Sequence, residues 1–173
     1  MPAAADRRRI EAFLAGLGAR VRSPHTVYLV GGTSAVLSGW RDTTLDIDLR
    51  PEPDSDELLR ALVDLKRDLD IAVELASPLD FLPDLAGWRE RSPWVSGHGP
   101  VHARHLDFRL QALAKLERGL RTDLADVEAM LARGLVDAED LRAGFAEMSE
   151  RMFRFPAVDL GGFERRLERA LDR

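Results

Sequence analysis

The chain contains no cysteine among its 173 residues, and only 6% of its residues are aromatic. The absence of cysteine excludes disulfides, thiolate metal sites and cysteine nucleophiles. No apolar run approaches the length of a membrane span, and the first residues lack the apolar stretch of an export signal. We therefore expect a protein of the cytoplasm that has no membrane partner.

The chain also lacks an overall positive charge, since 25 Lys and Arg residues face 30 Asp and Glu residues for a formal net charge of −5. This balance argues against strong non-specific binding of nucleic acid. Arginines cluster near both ends of the chain. Solvent-exposed helix faces explain these clusters more simply than a nucleic-acid-binding surface does.

The length allows one compact core with a helical extension. Apolar periodicity and the positions of glycine and proline predict alternating helices and strands in the first part of the chain. Helices are predicted over 6–20, from about Ala35 to Gly39, and through 58–65, where Asp54 or Ser55 would cap the helix. Strands are predicted over 27–30, 46–49 and 71–75, with a hairpin near 94–96 and 101–105.

Beyond residue 106 the pattern is helical. Four helices are predicted, over about 107–119, 123–133, 138–153 and 161–171. We therefore predict an α/β (α+β) fold in which a small mixed sheet is flanked by helices and followed by a helical C-terminal half. The predicted division is a core over residues 1–106 and a helical part over 107–173, packed as one unit.

A pair of acidic residues, Asp46 and Asp48, lies on one predicted strand. Residues two apart on a strand face the same side, so the two carboxylates would lie together while Ile47 and Leu49 face the core. Two neighbouring like charges are costly unless a cation lies between them. Carboxylate oxygens suit Mg²⁺ or Mn²⁺, so a divalent metal site is predicted here. The simpler alternative is that the two aspartates face solvent and bind no metal.

A glycine turn precedes this pair. The strand ending at Val30 leads into Gly31 and Gly32, then into Thr33 and Ser34 and a short helix. Glycines let a phosphate approach the backbone, and a helix start favours negative charge. The two patterns together predict that a triphosphate and its metal lie at neighbouring strand ends.

These stretches carry a family resemblance. Residues 30–35 (VGGTSA), 39–41 (GWR) and 44–49 (TLDIDL) resemble the signature of the polymerase-beta-type nucleotidyltransferase superfamily. Within it, the closest resemblance is to the abortive-infection-type toxins, including the mycobacterial nucleotidyltransferase toxins of toxin–antitoxin pairs. Residues 115–118 (KLER) and 123–127 (DLADV) resemble that group's two helical motifs. The matches span roughly residues 27–130.

The resemblance implies a role for each matching residue. Asp46 and Asp48 would hold the catalytic metals, and Lys115 would offset charge on the triphosphate. Arg41 is a candidate for a further phosphate contact, with an ion pair to Asp42 or Asp46 as the alternative. A third carboxylate, as metal ligand or base, is expected at Asp126 by motif or at Glu74 by its place on the third strand. The β- and γ-phosphates would be held by Gly31, Gly32 and a hydroxyl of Thr33 or Ser34.

Three functions stay open at this point. The first is a toxin that adds nucleotides from a nucleoside triphosphate to the 3′ end of tRNA and is silenced by a partner antitoxin. The second is a transferase acting on a small molecule or a protein. The third is a catalytically silent regulatory module of the same fold.

Several other residues are given ordinary roles. The four histidines, including His102 and His105, are not spaced to converge on a metal. No residue in the sequence is identifiable as a partner for the Ser34 hydroxyl. Trp40, Trp88 and Trp94 could stack on bases, but packing in the core or in loops is the simpler interpretation for each.

Overall fold

The computed structural model describes all 173 residues. The chain forms two compact units. The first unit comprises residues 1–77 and 92–106, and the second comprises residues 78–91 and 107–173. The predicted α/β class is confirmed, with a mixed sheet and a helical C-terminal half. None of the helices is both long enough and apolar enough to cross a lipid bilayer.

All strands lie in the first unit. They are β1 (Ala5–Asp6), β2 (His25–Leu29), β3 (Thr43–Thr44), β4 (Asp46–Glu52), β5 (Ala72–Glu74), β6 (Trp94–His98) and β7 (Val101–His105), and they alternate with the helices α1 (Arg7–Arg20), α2 (Gly31–Ser38) and α3 (Asp56–Asp68). As predicted, Ser55 caps α3, because its hydroxyl accepts a hydrogen bond from the Leu58 amide.

Five of the strands form one sheet in the order β5-β4-β2-β7-β6. The pairs β4–β5 and β2–β7 are parallel, whereas β2–β4 and the β6–β7 hairpin are antiparallel. One face of the sheet is apolar and belongs to the core cluster that also includes residues of α1 and α3. β1 and β3 form a separate antiparallel pair.

The second unit is helical. Its helices are α4 (Trp88–Arg91), α5 (Phe108–Arg118), α6 (Arg121–Ala132), α7 (Ala138–Ser149) and α8 (Leu160–Leu171), with short 3-10 helices at Pro78–Asp80 and Met152–Arg154. Phe163, Met130, Leu113 and Leu116 are fully buried, so this unit has an apolar interior of its own.

Three sequence predictions need correction. β4 continues through Pro51 to Glu52, because β5 pairs only with Asp46–Asp48 and leaves the far part of β4 unpaired on that side. The strand predicted over 71–75 is shorter at both ends, because β5 runs from Ala72 to Glu74 and Leu75 is half exposed. The helix predicted over 138–153 ends at Ser149, and a 3-10 turn follows.

Candidate active site

β4 carries the two predicted metal-binding carboxylates. Burial alternates along the strand: Ile47 and Leu49 are fully buried, whereas Asp46 and Asp48 are half-buried. This alternation puts the aspartates together on the polar face of the sheet.

The glycine turn lies beside this strand. Helix α2 begins at Gly31, which has a φ of +58°, a conformation that glycine adopts without strain. Val30 occupies the N-cap position and has no side-chain oxygen with which to cap the helix. The predicted loop over residues 31–34 is therefore the first turn of α2, so the backbone amides of a helix start lie in this stretch.

Asp48 approaches the turn closely. Its Oδ2 atom lies 3.0 Å from the position that a Cβ atom of residue 31 would occupy. The backbones of the turn and of β4 are also connected, because the Val30 amide donates a hydrogen bond to the Asp48 carbonyl at 3.1 Å. The Asp48 carboxylate and the start of α2 are thus in direct contact.

Gly32 is equally enclosed. A Cβ atom at this position would overlap the Thr44 hydroxyl and would lie 3.6 Å from a guanidinium nitrogen of Arg41. Arg41 is half-buried, so a cation lies next to the turn on the side of Gly32. A phosphate group at the turn would have this positive charge within reach.

The hydroxyls of Thr33 and Ser34 are both fully buried and have partners within the protein. Thr33 Oγ1 accepts a hydrogen bond from the Asp48 amide at 3.0 Å. Ser34 Oγ lies 2.6 Å from Nδ1 of His105. These contacts fix α2 to its neighbouring strands, and phosphate binding by either hydroxyl stays a prediction.

His105 is the residue that the sequence interpretation missed. It ends β7, and the parallel pairing of β7 with β2 sets it opposite Leu29, just before the turn. Burial lowers the pKa of His105 to about 4, with a smaller contribution from the positive charge of Arg7. The imidazole is therefore neutral at pH 7 and can share one hydrogen with Ser34.

Glu74 lies opposite Asp48 in the parallel pairing of β5 with β4. Partners in register point to the same face of a sheet, so Glu74 shares the face of the two aspartates. Glu74 is exposed, and no group of three or more Asp, Glu and His side chains in the chain is arranged to hold a metal ion.

The two aspartates nevertheless fit a magnesium site. Mg²⁺ is commonly held by one or two carboxylates together with water and the oxygens of a bound phosphate. Asp46 and Asp48 supply this number of carboxylates next to a turn suited to phosphate. A third protein ligand is not required for this kind of site, and Mn²⁺ accepts the same donors.

Lys115 and Asp126, the other predicted catalytic residues, lie in the second unit. Both side chains are more than nine-tenths buried, and Lys115 Nζ donates to Asp126 Oδ2 at 2.7 Å. Lys115 is also 3.7 Å from Asp123 Oδ1. One buried cation thus neutralises carboxylates of α6 from its place on α5.

Arg118 completes this cluster. Its guanidinium forms two hydrogen bonds with the buried Asp123 carboxylate. Burial alone would raise the pKa of Asp123. The hydrogen bond from Arg118 and the positive charges of Arg118 and Lys115 lower it by more, so the pKa of Asp123 lies below its usual value. The two helical motifs, 115–118 and 123–126, are therefore joined to each other by ion pairs.

The comparison with known families agrees with the chemistry of these residues. The model of the family described as "Nucleotidyltransferase of unknown function (DUF6036)" matches residues 9–157, most of the chain. No curated protein and no solved structure matches the chain significantly. The match includes both strand β4 and the helical motifs of α5 and α6. The chain therefore belongs to this nucleotidyltransferase family.

Proposed function

We propose that the protein transfers a nucleoside monophosphate from a nucleoside triphosphate to a hydroxyl group of an acceptor. The acceptor oxygen bonds to the α-phosphorus, the bond from that phosphorus to the α–β bridging oxygen breaks, and pyrophosphate leaves. The proposal depends most on one observation, which is that Asp48 contacts the glycine turn while sharing its strand face with Asp46. The family match supports the same chemistry.

Each residue in this proposal has a distinct task. The backbone at Gly31 and Gly32 would bind the β- and γ-phosphates, with Arg41 beside them. Asp46 and Asp48 would hold Mg²⁺, which supplies positive charge to the phosphate oxygens when bound. The acceptor proton would pass to a carboxylate, for which Glu74 is favoured by its position opposite Asp48. The role of Lys115 rests on the motif resemblance.

We further propose that the acceptor is the 3′ end of tRNA and that the protein is the toxin of a toxin–antitoxin pair. This finer assignment is supported by the resemblance of residues 39–41, 115–118 and 123–127 to motifs of the toxin group. It implies a partner antitoxin that blocks the transfer in the cell.

The transfer is tested by incubating the protein with α-³²P-labelled nucleoside triphosphates, total tRNA and Mg²⁺ or Mn²⁺. We expect label on the RNA with the wild type, and none with Asp46→Asn or Asp48→Asn. Asp54→Asn is the matched control, because Asp54 is exposed just beyond the end of β4. Label that persists in both active-site variants would overturn the proposal. Label on protein or a small amine but not on RNA would overturn the choice of acceptor alone.

The toxin assignment has its own test. Induced expression of the wild type should stop growth of a bacterial host, and expression of Asp48→Asn at the same level should not. Normal growth with an active, soluble wild-type protein would contradict the toxin role without touching the transfer chemistry.

A further inference from the structure

A cluster of aromatic and cationic side chains lies on the β6–β7 hairpin, in which Trp94 and His102 are exposed and Arg104 is half-buried and donates to the Ser92 carbonyl. Trp94 has about half of its surface exposed, at 51%. The ring of His102 meets it edge to face with 5.0 Å between the ring centroids, and the Arg104 guanidinium lies 5.7 Å from the indole centroid. We call these three residues the Trp94 platform.

The backbone of the hairpin is shaped around this indole. A Cβ atom at Gly97 would lie 3.2 Å from Cζ2 of Trp94, closer than a normal contact. The pairing of β6 with β7 also shifts register between Trp94 and Ser96. A bare glycine and an irregular edge strand thus hold the ring against β6 while its other surface stays open to solvent.

The strand register connects the platform to the candidate active site. Trp94 is paired with Arg104, Arg104 with Tyr28, and Tyr28 with Arg50. Arg50 follows Asp48 by two residues on β4, so this row shares the sheet face of the two aspartates. Three strand spacings separate β4 from β6, which is about 14 Å at the usual spacing of sheets.

The chemistry of the platform suits an unpaired nucleobase. An exposed aromatic ring stacks on any base, because every base has a π-face, and a neighbouring arginine adds charge that attracts the backbone phosphates. A duplex hides its base faces within the helix, so a single strand is the better fit.

We propose that the Trp94 platform binds single-stranded RNA by stacking a base of the acceptor strand a few nucleotides from the hydroxyl that reacts beside Asp48. This inference rests on the proposed function for its orientation, since the reacting end is assigned to the aspartates. The contact between Trp94 and RNA is a binding event that needs neither nucleoside triphosphate nor metal. It can therefore be measured apart from catalysis.

The test measures binding of a short fluorescein-labelled single-stranded RNA by anisotropy, without nucleotide or metal. Loss of one stacked base weakens binding, and we expect Trp94→Ala to raise Kd about tenfold. Trp94→Phe keeps a ring and should bind with intermediate affinity, which separates stacking from misfolding. Phe153→Ala is the matched control, because Phe153 is an exposed aromatic with its own arginine, Arg154, 5.6 Å from the ring centroid.

A second readout follows the indole itself. RNA should quench the intrinsic fluorescence of the wild type, and the quenching should disappear in Trp94→Phe although Trp40 and Trp88 remain. An unchanged Kd for RNA in Trp94→Ala would overturn the proposal. So would a rise in the KM for nucleoside triphosphate with no change for RNA, since the ring would then bind the nucleotide base.

Failure of this inference can be told apart from failure of the proposed function. If the wild type binds RNA through Trp94 but transfers nothing to it, the transfer proposal fails and the platform stands. If the wild type labels RNA and Trp94→Ala does so with the same KM for RNA, the platform fails and the transfer proposal stands.

Discussion

The Asp48 carboxylate rests against Gly31, with its Oδ2 atom 3.0 Å from where a side chain at residue 31 would begin. Gly31 has a φ of +58°, so the turn is both left-handed and in contact with the acid. A side chain at this position would push the carboxylate away from its place on β4. The contact therefore connects the backbone of the turn to the position of the carboxylate that we propose as a metal ligand.

Gly31→Ala should abolish most of the transfer activity while the protein stays folded. A displacement of about 1 Å in a catalytic group costs about a hundredfold in rate, and we expect a loss of that size in kcat/KM. Gly39→Ala is the control, because Gly39 has a φ of +89° but no atom within 4 Å of the added carbon. Both variants should lose about 1 kcal/mol of stability from the left-handed residue, and only Gly31→Ala should lose activity. Equal activity of the two variants would contradict this role of the contact.

Lys115→Met should strongly destabilise the second unit. The substitution leaves Asp126 buried without the cation that donates to it, which costs about 3–5 kcal/mol for a buried pair. Adding Asp126→Asn should recover much of the loss, because it removes the buried negative charge that Lys115 neutralises. Urea unfolding measures both, with Arg142→Ala as the control. The Arg142–Glu168 pair is about half exposed, so its loss should change the free energy of unfolding by less than about 1 kcal/mol.

The same double variant tests the catalytic assignment of Lys115 and Asp126. If it is folded and transfers nucleotide at the wild-type rate, the two residues serve structure alone. If it is folded and inactive, at least one of them acts in the reaction. A single variant makes this distinction only if it stays folded, because unfolding alone would remove its activity.

The geometry of the aspartates could be predicted from four residues. Asp46 and Asp48 alternate with Ile47 and Leu49, and the period of two in a strand is enough to assign them to one face. The glycine pair likewise marked the start of α2. These are local patterns, which depend only on neighbours along the chain.

The contacts that complete the site depend on distant parts of the chain. His105 comes beside Ser34 only because β7 pairs in parallel with β2, across 71 residues of sequence. Lys115 and Asp126 matched motifs, but nothing in their spacing revealed that they are buried against each other. Strand pairing and burial of charge follow from tertiary packing, which a single sequence does not display.

Ser34→Ala should destabilise the first unit by about 1–3 kcal/mol, the usual cost of removing one partner from a buried hydrogen bond. The atom that loses this hydrogen bond is Nδ1 of His105, which lies 2.6 Å from the Ser34 hydroxyl. Thermal or urea unfolding at pH 7 measures the loss. Ser38→Ala is a control at the other end of α2, where the serine is only partly buried.

His105 also predicts how stability changes with pH. Its pKa is about 4 in the folded protein and about 6.5 when unfolded, so the unfolded chain binds the proton more readily between these values. The contribution of His105 to the free energy of unfolding therefore rises as the pH increases through this window and is constant above it. His105 alone should account for about 2 kcal/mol of the stability lost between pH 7.5 and pH 5. Urea unfolding of His105→Gln should show a loss smaller by that amount, and a loss equal to that of the wild type would contradict the assignment. His102→Gln, exposed on the same strand, controls for removal of an imidazole.

Glu74→Gln separates the two candidates for the third carboxylate. Glu74 is exposed and shares the face of Asp48, so the substitution should leave stability unchanged within about 0.5 kcal/mol. If Glu74 accepts the acceptor proton, kcat should fall by about 10²–10⁴-fold. Glu52→Gln, on the same face at the far end of β4, should keep its activity. Full activity of Glu74→Gln together with loss in a folded Asp126→Asn variant would transfer the role to Asp126.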